Sequence, residues 1–525
     1  MVKKFIKKIK LHNFKKFTDL TIPLDENLNI FIGENEAGKS TILSAIDFVI
    51  SGSRQKVEKI GIDQLFNKGV IESFLSGTRE YKNLPIIRVE LFLNEQGAYE
   101  LNGIQHSDNS TACDGIFMEV APSEDFSKQI IDLLKNDDLN FPFEYYSISF
   151  KTFSGEAYNG YRKHLQHIVI DTTQIGTEYA TKEYVNSMYS CYIDSDAEKN
   201  KHQNDYRKAK EGFKNVSLKE INGKIENYSF SVKHNVKSNL LTDLTLLEGD
   251  VDIEQKGKGK QCFIKTKFVL GKAKDGIKTI DVALIEEPEN HLSHINMKKL
   301  IQMIDESENK QRIIATHSNL ICSRLDLRKA ILLHTNSDQF ATLEKLPKET
   351  AKFFIKAPDH GVLNFTLSKK VILVEGDAEY MIMERFYYSV RSKTMEFDDV
   401  YIISVGGTSF KRYLDIAKIL NIKVAVIRDN DENYQSNCVD LYNGYVGDLI
   451  KIFFDQNNSR HTFEKCLYED NKEICDNVFE SQRRTLSVQD YMIKNKTESA
   501  FCLLDDLREV NVPQYIQNAI RWINS

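Results

Sequence analysis

The chain has 525 residues, 41% of them apolar and 28% charged, an ordinary balance for a folded protein, and that length is enough for about two to four domains. A formal net charge of −6 gives no overall attraction to nucleic acid, so any such binding must be local or metal-mediated. Eight scattered cysteines without a C-x-x-C pair argue against a disulfide framework, no apolar run approaches the roughly 20 residues that span a bilayer, and the basic Met1 to Lys16 stretch lacks a signal-peptide core, so a cytoplasmic location without a membrane partner is expected.

Phe5 to Leu11 alternates apolar and basic residues, as a half-buried strand does. Its Lys3, Lys4, Lys7, Lys8 and Lys10 either contact phosphates or form a solvated face. Asn13 to Phe17 turns the chain, and Leu28 to Ile32 is a second strand that stops at Gly33. A helix is expected from Lys39, and another strand from Ile86 to Leu93. From about residue 95 to 240 the sequence is polar and rich in Tyr and Lys, and Asp194 to Lys214 reads as a solvated helix or a mobile segment. Thr279 to Ile285 and Gln311 to Thr316 read as short strands of a buried parallel sheet. Thr335 to Asn364 is the expected linker. Beyond it, strands Lys370 to Val374, Val400 to Val405 and Lys423 to Ile427 alternate with helices Glu379 to Val390 and Phe410 to Leu420, the pattern of a doubly wound parallel sheet. The fold class is α/β.

Gly33 to Ser40 matches G-x-x-x-x-G-K-[ST] between a strand and a helix. Such a loop turns backbone N–H groups toward phosphates, and the helix N-terminus adds positive potential. Gly33, Asn35, Gly38, Lys39, Ser40 and Thr41 are the expected nucleotide contacts, with Lys39 on the β- and γ-phosphates of ATP and Ser40 on Mg²⁺. The apolar strand ending Ile285-Glu286-Glu287 supplies two adjacent acids, Glu286 for the Mg²⁺ shell and Glu287 to orient the attacking water. Ile313 to Ser318 is a strand that ends at His317, a third element of the same pattern.

Glu375 closes an apolar strand, and Glu379 follows one helical turn later. Asp429 and Asp431 follow the strand Lys423 to Ile427, two apart on a segment expected to be extended so that both point one way. Ionised together, these carboxylates repel each other unless divalent cations hold them, and an all-oxygen set suits Mg²⁺ or Mn²⁺.

The first three elements resemble the ABC-type ATPases of recombination and chromosome maintenance, which implies a head-to-head homodimer. The signature-loop candidate Gly257 to Gln261 departs from that family, because Lys258 stands where a serine is usual. Residues 95–240 would then be a largely helical insertion, a candidate dimerisation arm, with 1–95 and 240–340 forming the ATPase. The E-G-x-x-E and D-x-D elements resemble a Toprim domain, here 365–525. ATPase followed by Toprim is similar to the OLD (overcoming lysogenisation defect) nucleases. That resemblance adds Glu464 as a metal ligand and Lys496 as a stabiliser of the transition-state phosphate. It implies a DNA endonuclease with Glu375, Glu379, Asp429 and Asp431 holding two metal ions, gated by nucleotide. It also implies antiphage defence, as a dimer or tetramer, working alone, beside a helicase-like partner, or with a reverse transcriptase and its retron DNA. The competing readings are a non-cleaving ATP-dependent DNA tether or sensor, and a topoisomerase or primase.

Overall fold

The structure, a computed structural model, describes residues 3–108, 111–135, 140–160, 163–172, 178–193, 195–225, 228–235, 238–270, 280–307, 309–335, 337–357, 361–407, 409–480, 485–506 and 508–525. The chain divides into two compact units, Met1–Thr316 with Leu333–Phe340, and His317–Leu332 with Ala341–Ser525.

In the first unit, β1 (Ile6–Phe14), β2 (Phe17–Pro23), β3 (Leu28–Ile32), α1 (Lys39–Ser51), β4 (Ile87–Leu93), β5 (Cys113–Pro122), β6 (Tyr146–Thr152), β7 (His167–Asp171), α2 (Glu178–Tyr192), α3 (Asp196–Val216), α4 (Lys258–Leu270), β8 (Val282–Glu286), α5 (His294–Glu306) and β9 (Gln311–Thr316) follow in order. An antiparallel sheet runs β2-β1-β4-β5, with β6 paired to β5. Alternation places Ile9 and Leu11 of β1 in the core, and Ile6 is buried as well, across a register shift between Ile6 and Lys8. A parallel sheet contains β7-β8-β9-β3 in that order. Its inner strands β3 and β9 are buried at every position, which is why each reads as a mostly apolar run.

Residues 95–240 are therefore not one helical insertion. β5 and β6 complete the antiparallel sheet and β7 joins the parallel one, and the expected helix appears later, as α2 and α3. Their side chains pack on strands far away in sequence, so local polarity concealed them. Asp194 and Thr279 lie outside the described residues, and the strand expected from Thr279 is β8.

In the second unit, α6 (Lys348–Lys356) occupies much of the expected linker. Thr350, Ala351 and Phe354 are buried, and the Thr350 hydroxyl donates to Asp415, so this stretch is part of the folded unit. Then come β10 (Lys370–Val374), α7 (Asp377–Arg391), β11 (Val400–Ser404), α8 (Phe410–Leu420), β12 (Lys423–Ile427), β13 (Ile450–Phe453), α9 (Phe463–Asp470), α10 (Lys496–Asp505) and α11 (Gln514–Ile523). All four strands are parallel, in the order β11-β10-β12-β13. One core joins Ile372 and Val374 of β10, Ile382 and Phe386 of α7, and Ile516 and Ile520 of α11. In such sheets ligands bind beyond the carboxyl ends of the strands, at the point where strand order reverses, here beside β10. Among the described residues no helix is long and apolar enough to cross a membrane.

Candidate functional site

In the first unit the loop after β3 enters α1 through Gly38, whose φ of 99° suits glycine, and a Cβ there would lie 2.4 Å from the Phe17 ring. Lys39 is buried, and its Nζ donates to the carbonyls of Gly33 at 2.7 Å and Glu34 at 2.9 Å. Asn35 and Ser40 are exposed and Thr41 is half-buried, all within or just after the loop. Ser40 hydrogen-bonds the Glu286 carboxylate, so the first helical turn of α1 meets the end of β8. Burial raises the Glu286 pKa, with Asp171 adding to it, while the Ser40 bond, Lys39 and Lys15 oppose the rise. Glu287 follows with φ 45°, its N–H bonded to the Ala315 carbonyl at 2.8 Å. His317 directly follows β9 and is exposed.

Three participants escaped the sequence reading. Asp171 lies beside Glu286 because β7 pairs in register with β8; its signal was the acid that closes the apolar run Ile168 to Ile170. Glu289 accepts a hydrogen bond from Thr316 Oγ1 at 2.5 Å. Lys15, in the β1–β2 hairpin, has its pKa lowered by burial and raised in part by Glu286. The Lys16 Nζ donates to the Ala37 carbonyl of the loop at 2.9 Å. Of the other early lysines, Lys8 and Lys10 are tied to Asp108, a solvated face with internal ion pairs. Gly257 and Lys258 open α4, and a Cβ on Gly259 would sit 2.1 Å from the His291 carbonyl oxygen.

In the second unit, Glu375 is half-buried at the end of β10, where the Gly407 N–H donates to its carbonyl at 2.9 Å. Thr408 lies outside the described residues. Glu379, in the first turn of α7, is 6% exposed, Asp429 after β12 is 7%, and Glu464 in the first turn of α9 is 2%. Thr462 caps α9 by accepting from the Lys465 N–H, which fixes where Glu464 projects. Lys496 opens α10 and its Nζ lies 3.2 Å from the Glu464 carboxylate.

Asp431 corrects the sequence reading. The segment after β12 is not extended: Asp431 has φ 48° and Glu432 φ 66°. Asn430 causes the turn, since its buried amide donates to the carbonyls of Asp455 at 2.8 Å and Asn457 at 3.1 Å. Asp429 therefore faces inward while the exposed Asp431 pairs with Arg428 at 3.5 Å and lies close enough to Glu375 to act on its charge.

The electrostatics follow from this packing. Burial raises the Glu375 carboxyl, and Asp431 adds to the rise. Burial lifts Glu379 to about 7, with Glu464 and Glu375 contributing. Burial pushes Asp429 well above the usual carboxylate range, with Glu379, Glu375 and Glu464 all adding. Burial alone would lower Lys496, but Glu464, Asp429 and Glu379 outweigh it and its pKa is raised. Oε2 of Glu375 and Oε1 of Glu464 are buried without a hydrogen-bond partner. Among the described residues, no three of these acids bring one oxygen each within 4.8 Å of one another. Orphaned carboxylate oxygens and an oxygen-only donor set fit hard divalent cations such as Mg²⁺ or Mn²⁺.

Residues 5–250 match the family described as AAA ATPase domain, and residues 367–431 match the Toprim domain of the overcoming lysogenization defect protein-like family. The DNA replication and repair protein RecF of Clostridium tetani is 38% identical over 55 residues, 10% of this chain and 15% of that protein. The chain thus spans well under two thirds of the length of that curated relative. The C-terminal region of the Burkholderia pseudomallei OLD protein aligns with a TM-score of 0.26 and 18% identity, covering 30% of this chain and 97% of that one. The SMC head domain from Thermotoga maritima aligns with a TM-score of 0.30 and 15% identity, covering 64% of this chain and 97% of that one.

Proposed function

We propose, for a chain that joins an AAA ATPase domain to an overcoming-lysogenization-defect-like Toprim domain, that the first unit binds and hydrolyses ATP and the second cleaves DNA phosphodiester bonds with divalent metal ions. The observation that carries the reading is the gathering of Glu375, Glu379, Asp429 and Glu464 at the carboxyl end of the parallel sheet with Lys496 as their close countercharge. So many buried acids destabilise a fold, and they are retained where cations offset them.

In this reading Glu375, Glu379, Asp429 and Glu464 would hold Mg²⁺ or Mn²⁺, and Asp431, turned toward Arg428, would act through its charge on Glu375. Bound there, the ions supply Lewis-acid stabilisation of phosphate oxygens and lower the pKa of water. Burial favours the protonated forms of Glu379 and Asp429, and ligating cations displaces those protons. Glu375 accepts the proton of the attacking water, a task its raised pKa favours. Lys496, held charged by its acidic neighbours, sits against the charge that builds on the phosphate. In the first unit Lys39 and Ser40 bind the nucleotide phosphates and their Mg²⁺ with Glu286, and Glu287 orients water. Nucleotide occupancy shifts a homodimer between states that admit or exclude DNA.

Supercoiled and linear DNA, incubated with the protein and Mn²⁺ or Mg²⁺, with and without ATP, test this. Nicks or breaks that vanish in Glu375→Ala and Asp429→Ala support it. Binding without cleavage favours a DNA tether, the reading that the outward-turned Asp431 supports best. We extend the proposal to antiphage defence, alone or beside a helicase-like or reverse-transcriptase partner. Phage plating on cells that carry the wild-type or Glu375→Ala gene tests that extension.

A further inference from the structure

The first unit holds a cavity of about 690 Å³ along β7, between α1, α2 and α4. None of residues 33–41 lines it, so it is distinct from the nucleotide loop, although Asp171, the neighbour of Glu286, lines its end. Its volume is that of a small-molecule pocket. We propose that this cavity, lined by Arg54, Lys56, Lys163, His167, Tyr184 and Lys265, binds a small phosphate-bearing molecule of nucleotide size.

Three buried groups point to a ligand. Lys265 of α4 is 3% exposed, and among the described residues no carboxylate forms an ion pair with it; its Nζ reaches only Thr181 Oγ1, at 3.4 Å. Burial draws its pKa down to about 8. The Tyr184 hydroxyl is buried without a hydrogen-bond partner, and the residue is 4% exposed. Nδ1 of His167 is likewise buried and unpartnered, while its Nε2 meets Asp47 Oδ1 at 2.8 Å. Polar groups left this way are costly; the oxygens of an anion would accept from Lys265 and the Tyr184 hydroxyl, while Nδ1 of His167, whose Nε2–H donates to Asp47, would accept from a hydroxyl or amine of the same ligand.

The charge balance selects an anion. Arg54, Lys56, Lys59, Lys163 and Lys265 line the cavity against Asp47 and Asp171. Asp47 is already engaged by Lys56 at 2.8 Å and by His167, which hold its carboxyl down at about 2 despite its burial. Arg54 is turned to Glu58 at 3.6 Å, so the positive charge left to an occupant is chiefly that of Lys265. Because the unpartnered groups are buried within a recess, a small molecule reaches them and the backbone of a duplex does not.

The test uses the full chain carrying Lys39→Ala, which removes the lysine of the nucleotide loop, titrated calorimetrically with tripolyphosphate and separately with ATP. One equivalent of either probe is expected to bind. Adding Lys265→Met or, at the exposed rim, Lys163→Gln should weaken binding at least about tenfold, and Lys265→Arg should restore part of it. Lys163→Gln decides the matter if Lys265→Met disturbs the fold. Absence of binding by both probes, or binding that survives both substitutions, overturns the proposal. Neither result bears on the DNA cleavage proposed for the second unit.

Discussion

Glu379→Gln removes a charge from the most acidic part of the second unit while keeping the side chain's shape, and its effect can be worked from the structure. The Glu379 carboxyl is lifted from 4.5 to about 7, chiefly by burial, and it is 6% exposed, so solvent screens it little. Each pH unit between folded and unfolded values is worth about 1.4 kcal/mol, so ionising this group in the folded chain costs about 3 kcal/mol. Below pH 4.5 the carboxyl is protonated in both states and contributes nothing. As pH rises from 4.5 toward 7 the unfolded chain loses the proton and the folded chain keeps it, so the wild type loses stability, and above 7 the loss levels off. Glutamine lacks this penalty. In EDTA the variant should therefore gain on the wild type by about 2–3 kcal/mol between pH 5 and pH 8. Urea unfolding followed by tryptophan fluorescence reads this unit alone, because the one tryptophan, Trp522, lies in α11 against Phe453, with ring centroids 5.8 Å apart. Manganese should reverse the order by stabilising the wild type more than the variant. A stability gap that stays flat from pH 5 to pH 8 refutes the reasoning.

Lys496→Met should reduce manganese-dependent DNA cleavage by about a hundredfold, measured as the rate of nicking of supercoiled DNA, because Glu464 loses its ion pair and the phosphate loses a cation. Glu287→Gln should leave ATP binding intact and slow phosphate release by about a hundredfold or more, as seen in a steady-state hydrolysis assay. Gly259→Ala should destabilise the first unit by about 1–3 kcal/mol, read as a lower melting temperature, since the added methyl would meet the His291 carbonyl at 2.1 Å and backbone yields little.

The parts of the molecule legible in the sequence are those where a motif terminates a doubly buried strand. Leu28 to Ile32, Gln311 to Thr316, Lys370 to Val374 and Lys423 to Ile427 agree with their observed bounds, because strands covered on both faces have no polar side to obscure them. Glu286, Glu375 and Asp429 sit at such ends, so their neighbourhood could be foreseen. What escaped depends on distant pairing or on one anchoring side chain. Asp171 meets Glu286 only through the β7–β8 register. Strands β5 and β6 find their apolar partners across the sheet and not along the chain. The outward turn of Asp431 is dictated by Asn430 gripping a loop some 25 residues further on. Spacing alone carries none of this information.

The order in which the carboxylate pocket is built has a biological corollary. Glu375 and Glu379 are made first, Asp429 next, and Glu464 and Lys496 only after the last strand, β13, has been synthesised. A polypeptide still growing on the ribosome, or clipped ahead of residue 463, thus has the sheet but lacks the final acid and its ammonium partner. Translation itself thus delays the gathering of the buried acids until the last of them and its lysine are made.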